Sequence, residues 1–304
     1  MTAAPRFEYV RKLIDAREAA ARHGFPQDDI KIYFPTVLKA AQHLADPVAK
    51  YYLYASPHDH EPGCGIGLWT ADALEGPWRF QRRVIADCQA TPAVLYNEGL
   101  QKVTIYSHNP NGVNHVYDSD DGIHFEHRNI LDFEPAAHGY GSVFPYAFPD
   151  GRQVYCGVFW MGDPTPEHYP CSGLYVSEDG YENWTCVAPD LYPPANMYTG
   201  DPNAPEIANN PEYVEIGDKR YMVFHSPQGI WAYQVDACLK PVSYEGIFFA
   251  PSDMPASTNC VGVTSPFLIQ DDDGVWHMLF GAVSGGTVDL HLARAVGQLE
   301  RNVR

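Results

Sequence analysis

Apolar residues change their spacing once along this chain. From about Phe7 to His23, Val10, Leu13, Ile14 and Ala20 or Ala21 recur near helical spacing, and Gly24-Phe25-Pro26 supplies a stop signal, which predicts an N-terminal helix. Beyond it, short β-rich runs are separated by Gly, Pro, Asn and Asp, the mark of an all-β chain. One phrase of proline, apolar strand, turn and aromatic-rich strand recurs five times. Its copies are "FPTVLKA" with "YYLYAS", "TPAVLYN" with "VTIYSH", "FPYAFPDG" with "VYCGVF", "NPEYVEIGD" with "YMVFHS", and "SPFLIQDDDG" with "WHMLFGA". The prolines, Pro35, Pro92, Pro145, Pro211 and Pro266, are 57, 53, 66 and 55 residues apart, so one unit is repeated five times.

Each copy continues into a third strand, such as "GIGLWTA" or "SGLYVSE", and most add a fourth, such as "WRFQRRVIA" or "EGIFFAP". Four antiparallel strands repeated radially at this period make a β-propeller blade. The expected fold is all-β: a five-bladed β-propeller over residues 30–304, with blades starting near 33, 90, 143, 209 and 264, preceded by a helical segment at 1–29. A β-sandwich is the competing architecture, but sandwiches space their strands evenly without a phrase recurring in register. Blade five runs out near Ala295, so either "QLERNVR" or a stretch before Tyr33 must complete it.

Composition narrows the partners. The 38 acidic against 20 basic residues give a formal charge of -18, which repels phosphate backbones and anionic membranes, so nucleic acid and membrane surfaces are excluded as expected partners. No run approaches the length of a membrane span, and the first twenty residues lack the pattern of a secretory signal, which predicts a cytoplasmic protein. The seven cysteines show no C-x-x-C spacing and cannot all pair within one chain, so reduced, packed thiols are expected. Phosphate-loop and G-x-S-x-G motifs are absent from the sequence.

In a propeller, the start of each innermost strand and the loop from the second to the third strand meet on one face, around a central funnel. That topology gathers Tyr33, Phe34, Phe144, Asn209 and Asn210 with His58, Asp59, His60, His108, Asp163, Glu167, His168 and His225. His58-x-His60 sets two imidazoles on one side of an extended segment, a spacing suited to a divalent metal ion; the plain alternative is a pair of solvated loop histidines. His58, Asp59, His108 and His225, together with Glu206 in "DPNAPEIANNP", are the candidates for acid–base catalysis. For Glu206 the alternative is a solvated rim carboxylate. Tyr33, Phe34, Phe144 and Trp160, with Asn209 and Asn210, are the candidate substrate contacts, although most large aromatics fill blade interiors.

The five-blade phrase, "YYLYAS", "GIGLWTADALEGPW" and "DDDGVWHMLFGA" resemble glycoside hydrolase family 43 and its relatives in families 32, 62, 68 and 117. The resemblance spans roughly residues 30 to 295. It implies inverting hydrolysis by three acids: one before the blade-one proline, one before the blade-three proline, and one in a Glu-Gly-Pro of blade four. The matching positions here hold Phe34, Phe144 and Asn209, so all three acids are missing. Inversion needs an acid and a base roughly 6.5–9.5 Å apart, and neither phenylalanine nor asparagine can serve as either.

The expected function is therefore a glycoside-hydrolase-like enzyme acting on a small molecule, a sugar or a less polar metabolite, through His and carboxylate groups. Two alternatives stay open: metal-assisted lyase, isomerase or cyclase chemistry on a non-sugar metabolite, and a propeller that binds a glycan or metabolite without turnover. The resemblance to family 117 adds a homo-oligomer joined through the N-terminal helix.

Overall fold

A computed structural model of the chain describes residues 6–26, 30–57, 64–87, 89–131, 133, 138–161 and 171–296, the side chains of 138–140 excepted. Strand β1 (Arg6–Ile14) and helix α1 (Ala16–His23) lead into five four-stranded antiparallel sheets. Blade one is β2 (Tyr33–Leu38), β3 (Tyr51–Ser56), β4 (Ile66–Ala71) and β5 (Arg79–Ile85). Blade two is β6 (Ala90–Asn97), β7 (Lys102–His108), β8 (Asn114–Ser119) and β9 (Glu126–Leu131). Blade three is β10 (His138–Ala147), β11 (Gln153–Trp160), β12 (Ser172–Ser177) and β13 (Thr185–Tyr192), and blade four is β14 (Asn209–Ile216), β15 (Lys219–Ser226), β16 (Gly229–Val235) and β17 (Pro241–Phe249). In blade five, β18 (Gly262–Gln270), β19 (Trp276–Ser284) and β20 (Thr287–Val296) are joined by β1 as the outermost strand.

The stretch before Tyr33 thus completes blade five, but as a strand. The helix predicted over 7–23 forms only at Ala16–His23, where Asp15 caps the N-terminus by accepting from the Glu18 N–H and Gly24 closes the end in the left-handed region at φ 72°. Residues 6–14 pair instead with β20, because Phe7 and Ile14 gain burial in the seams between blades. Asp289 of β20 fastens this closure: its carboxylate accepts from the Ala16 N–H at 2.8 Å and pairs with the Lys12 ammonium at 2.7 Å.

Adjacent blades are latched by buried tyrosines. Tyr54 of blade one donates to the Gly122 carbonyl of blade two at 2.7 Å, and Tyr106 of blade two donates to the Gly180 carbonyl of blade three at 2.9 Å. Each glycine sits in a turn knotted by Ser119 and Asp121, or by Ser177 and Asp179, whose oxygens accept the turn's N–H groups. Both glycines have positive φ, and a Cβ at either would come within 3 Å of the tyrosine hydroxyl, so backbone freedom and close approach together demand glycine. Replacing Tyr106 by Phe leaves the Gly180 carbonyl unpaired in the seam. We expect urea unfolding to show a loss of ~1–3 kcal/mol; a loss within a few tenths would mean that the latch carries no net stability.

The cysteine expectation needs correction. Cys64 is disulfide-bonded, whereas Cys156, Cys171, Cys186, Cys238 and Cys260 are free. Among the described residues no helix is long and apolar enough to cross a membrane.

Candidate functional site

The starts of the five innermost strands enclose a cavity of about 230 Å³ on the propeller axis. Its wall is shaped by a repeated irregularity. In blades one, two, four and five, three residues of the inner strand span two of its neighbour, as where Asn209 pairs with His225 but Glu212 pairs with Val223. The residue before the proline in each of these bulges, Phe34, Thr91, Asn210 or Ser265, has φ between 46° and 54°. A non-glycine residue held there costs ~1–2 kcal/mol, a strain that marks sites where side-chain direction matters. Blade three differs. Its irregularity lies between His138 and Gly141, so Phe144 sits in regular pairing with Cys156 and not in a bulge.

Phe34, Phe144 and Asn210 line the cavity. The Phe34 ring stacks on Tyr33 at 3.9 Å between centroids, and the Phe144 ring stacks on Tyr213 at 4.2 Å. Tyr33 therefore stands behind the wall. Asn209 lies one residue outside the cavity, its side-chain oxygen accepting the Asn210 N–H at 2.7 Å. Trp160 is half-buried at the end of β11, and Glu206 is exposed in the segment leading to β14. His58, Asp59, His60, Asp163, Glu167 and His168 lie outside the described residues.

Two of the expected histidines can be placed. His108 ends β7, buried, with Nδ1 3.1 Å from the Asn109 carbonyl, so that nitrogen carries the proton. His225 of β15 reaches across to blade five, where its ring meets Thr264 and Ser265. Part of this residue remains accessible, yet the surrounding protein desolvates the imidazole and pushes its pKa down to about 4. Among the described residues no group of three or more His, Cys, Asp or Glu could hold a metal ion.

The carboxylate that does line the cavity is Glu212. It follows Pro211 directly and is the sole acidic residue of the described wall. Burial raises its pKa to about 8, opposed by a hydrogen bond with Ser142 of blade three that favours the charged form. Glu212 is only half-buried, so its accessible part faces the cavity it lines while the rest of the carboxyl is surrounded by protein. Sequence reasoning passed over it, although a signal existed: after the repeat's proline the other copies carry Thr36, Ala93, Tyr146 and Phe267, so only blade four places a charge there.

No family model and no curated protein matches the sequence. Solved structures do. The catalytic domain of a family 62 α-L-arabinofuranosidase from Coprinopsis cinerea superposes with a TM-score of 0.65 at 10% identity, covering 96% of this chain and 98% of that one. A thermostable family 43 glycoside hydrolase gives 0.63 at 14% identity over 88% and 90%, and an endo-arabinase from Bacteroides thetaiotaomicron gives 0.61 at 12% over 90% and 97%. The chain has the fold of the family 43 and family 62 propellers. At such identities the likeness concerns the fold alone, and the wall of the cavity must be read from its own residues.

Proposed function

We propose that this glycoside-hydrolase-like propeller is an enzyme whose central cavity takes a small neutral ring molecule, a sugar or a sugar-like metabolite, and whose Glu212 is the acid at a glycosidic or related acetal carbon. The observation that carries this reading is the place of the Glu212 carboxyl, alone among the described wall residues in being acidic and set on the axis beside Ser142. A carboxyl that keeps its proton at neutral pH can give it to a leaving oxygen as the C–O bond breaks and the electron pair passes to that oxygen. Water then attacks the oxocarbenium-like carbon and returns a proton to the carboxylate. One group acting first as acid and then as base works from one face, so the expected product retains its anomeric configuration. The Phe34 and Phe144 rings keep bulk water from the developing cation.

A panel of 4-nitrophenyl pentosides and hexosides, including the α-L-arabinofuranoside and the β-D-xylopyranoside, tests this reading with the wild type and Glu212→Gln. NMR of the first-formed product reads the anomer. Turnover that Glu212→Gln leaves within about threefold would overturn the assignment.

A second reading, binding without turnover, is favoured by the stacking of Phe34 and Phe144 on Tyr33 and Tyr213, which fits rings that serve packing. Thermal-shift hits from a sugar and metabolite panel, none of which is turned over, would support it.

A further inference from the structure

Both ring nitrogens of His225 are engaged by adjacent residues of β18. The Ser265 N–H donates to Nδ1 at 3.3 Å, and Thr264 Oγ1 lies 2.9 Å from Nε2. A nitrogen that accepts an N–H carries no proton of its own, so the neutral ring holds its proton on Nε2 and donates to the Thr264 oxygen. A base working through Thr264 would need the opposite tautomer, with the lone pair on Nε2. The Thr264 hydroxyl then has its own proton to place, and Ser265 Oγ is 3.1 Å away. Donation in that direction completes a chain from His225 to Thr264 to Ser265 in which every link is polarised the same way. Ser265 Oγ, an acceptor on its Thr264 side, is left to turn its own O–H toward the cavity that Ser265 lines. The backbone enforces the aim, because Ser265 sits in the bulge between Thr264 and Phe267 at φ 51°, ahead of Pro266.

We infer that His225 is a positioning residue: held as the Nε2–H tautomer, it acts through Thr264 to fix Ser265 as a hydrogen-bond donor to a ligand oxygen in the central cavity. This rests on the reading of the cavity as a ligand site and adds the class of ligand. Blade five presents the Ser265 donor to the same cavity that Glu212 of blade four lines. The complementary ligand offers acceptor oxygens and carries no positive charge. A lactone or acetal ring meets that demand, whereas an ammonium group has no lone pair with which to accept from Ser265.

Two measurements on the full chain test this inference. Long-range proton–nitrogen NMR of the labelled free protein at pH 7, with the signal assigned by its loss in His225→Gln, should show the Nε2–H tautomer in the wild type and in Thr264→Ser. An Nδ1–H signal in the wild type overturns the positioning role, and it does so even if a Thr264 variant fails to fold. Calorimetry at pH 6.5 with L-arabinono-1,4-lactone and with the cationic 1,4-dideoxy-1,4-imino-L-arabinitol reads the ligand class. The lactone should bind at least about tenfold more tightly, and Ser265→Ala should weaken it by about 3–10-fold, the worth of one neutral hydrogen bond. A lactone that binds no more tightly than the imino compound overturns the ligand class. The tautomer is read without ligand or turnover, so an inactive enzyme with the expected tautomer would count against the proposed reaction while leaving the positioning role standing.

Discussion

Replacing Glu212 by Gln is expected to lower turnover by about 10²–10⁴-fold, the usual contribution of a positioned proton donor, while making the folded protein more stable at alkaline pH. These opposite effects have one cause. The ordinary carboxyl value of 4.5 is raised to about 8 by burial, so between those values the folded chain holds a proton that the unfolded chain has released. Stability therefore falls as pH rises from about 4.5 to 8 and stays level above. At ~1.4 kcal/mol per pKa unit the gap is worth ~5 kcal/mol when complete. Glutamine carries no such penalty: urea unfolding should find the variant close to wild type at pH 5 and several kcal/mol more stable at pH 9. Catalysis by the wild type should decline as pH rises through about 8, when the acid loses its proton. A variant equally active, or one with no alkaline stability gain, would remove Glu212 from the role assigned here.

Histidines shape the other side of the pH profile. His225 and His291 are both held neutral by burial, their values pushed from 6.5 to about 4. Lowered histidine values mean that the unfolded state binds more protons between pH 4 and 6.5, so stability is lost as pH falls through that window. Two such groups outweigh the single opposing carboxyl there. The sum places the stability optimum near pH 6.5, falling on both sides, and equilibrium unfolding across pH 4 to 9 checks it.

The sequence displayed the propeller because repetition is a property of composition and spacing, and five prolines in phase survive any local irregularity. It concealed what the irregularities do. Strand β1 contains register shifts between Tyr9 and Arg11 and between Lys12 and Ile14. Two bulges in nine residues stretch the alternation of a strand until Phe7, Val10, Leu13 and Ile14 fall at three- and four-residue intervals, which imitates a helix. The cavity wall was hidden for a related reason. Whether Asn209, Asn210 or Glu212 faces the axis depends on the left-handed Asn210, and a non-glycine residue in that conformation ahead of a proline leaves no trace in residue type. Matching this chain to a three-acid pattern by its prolines therefore found Asn209 and missed the carboxyl three residues further on. His225 stands among the sequence's acid–base candidates, but its partners, Thr264 and Ser265, lie about forty residues away and only the packing of blade four against blade five joins them.

Removal of residues 1–29 is expected to abolish the folded state and not merely to release a peripheral helix. Such a deletion takes away the outermost strand of blade five and strips Phe7 from the seam between blades four and five. It also removes Ile14, Ala16, Ala19 and Phe25 from the seam between blades five and one, where Phe25 stacks on Trp69 at 5.7 Å. Each large apolar residue lost from such a core leaves a cavity or an exposed patch worth ~2–5 kcal/mol. Asp289, only 8% exposed in the intact chain, would lose both Lys12 and the Ala16 N–H, and with them the contacts that fasten the closure. The sum is comparable to the whole ~5–15 kcal/mol by which domains are usually stable. A ring fold has a particular dependence on this strand, because blade five is built from both ends of the chain and its completion is what holds the first blade to the last. Circular dichroism and light scattering of the truncated chain should show loss of cooperative unfolding together with aggregation through the bared edge of β20. Phe7→Ala, a milder change at the same seam, should leave a folded protein of wild-type molar mass weakened by ~3–5 kcal/mol. A truncated chain that stays unaggregated and unfolds at the wild-type urea midpoint would show that the closure contributes nothing, and with it would fall the claim that residues 6–14 belong to blade five.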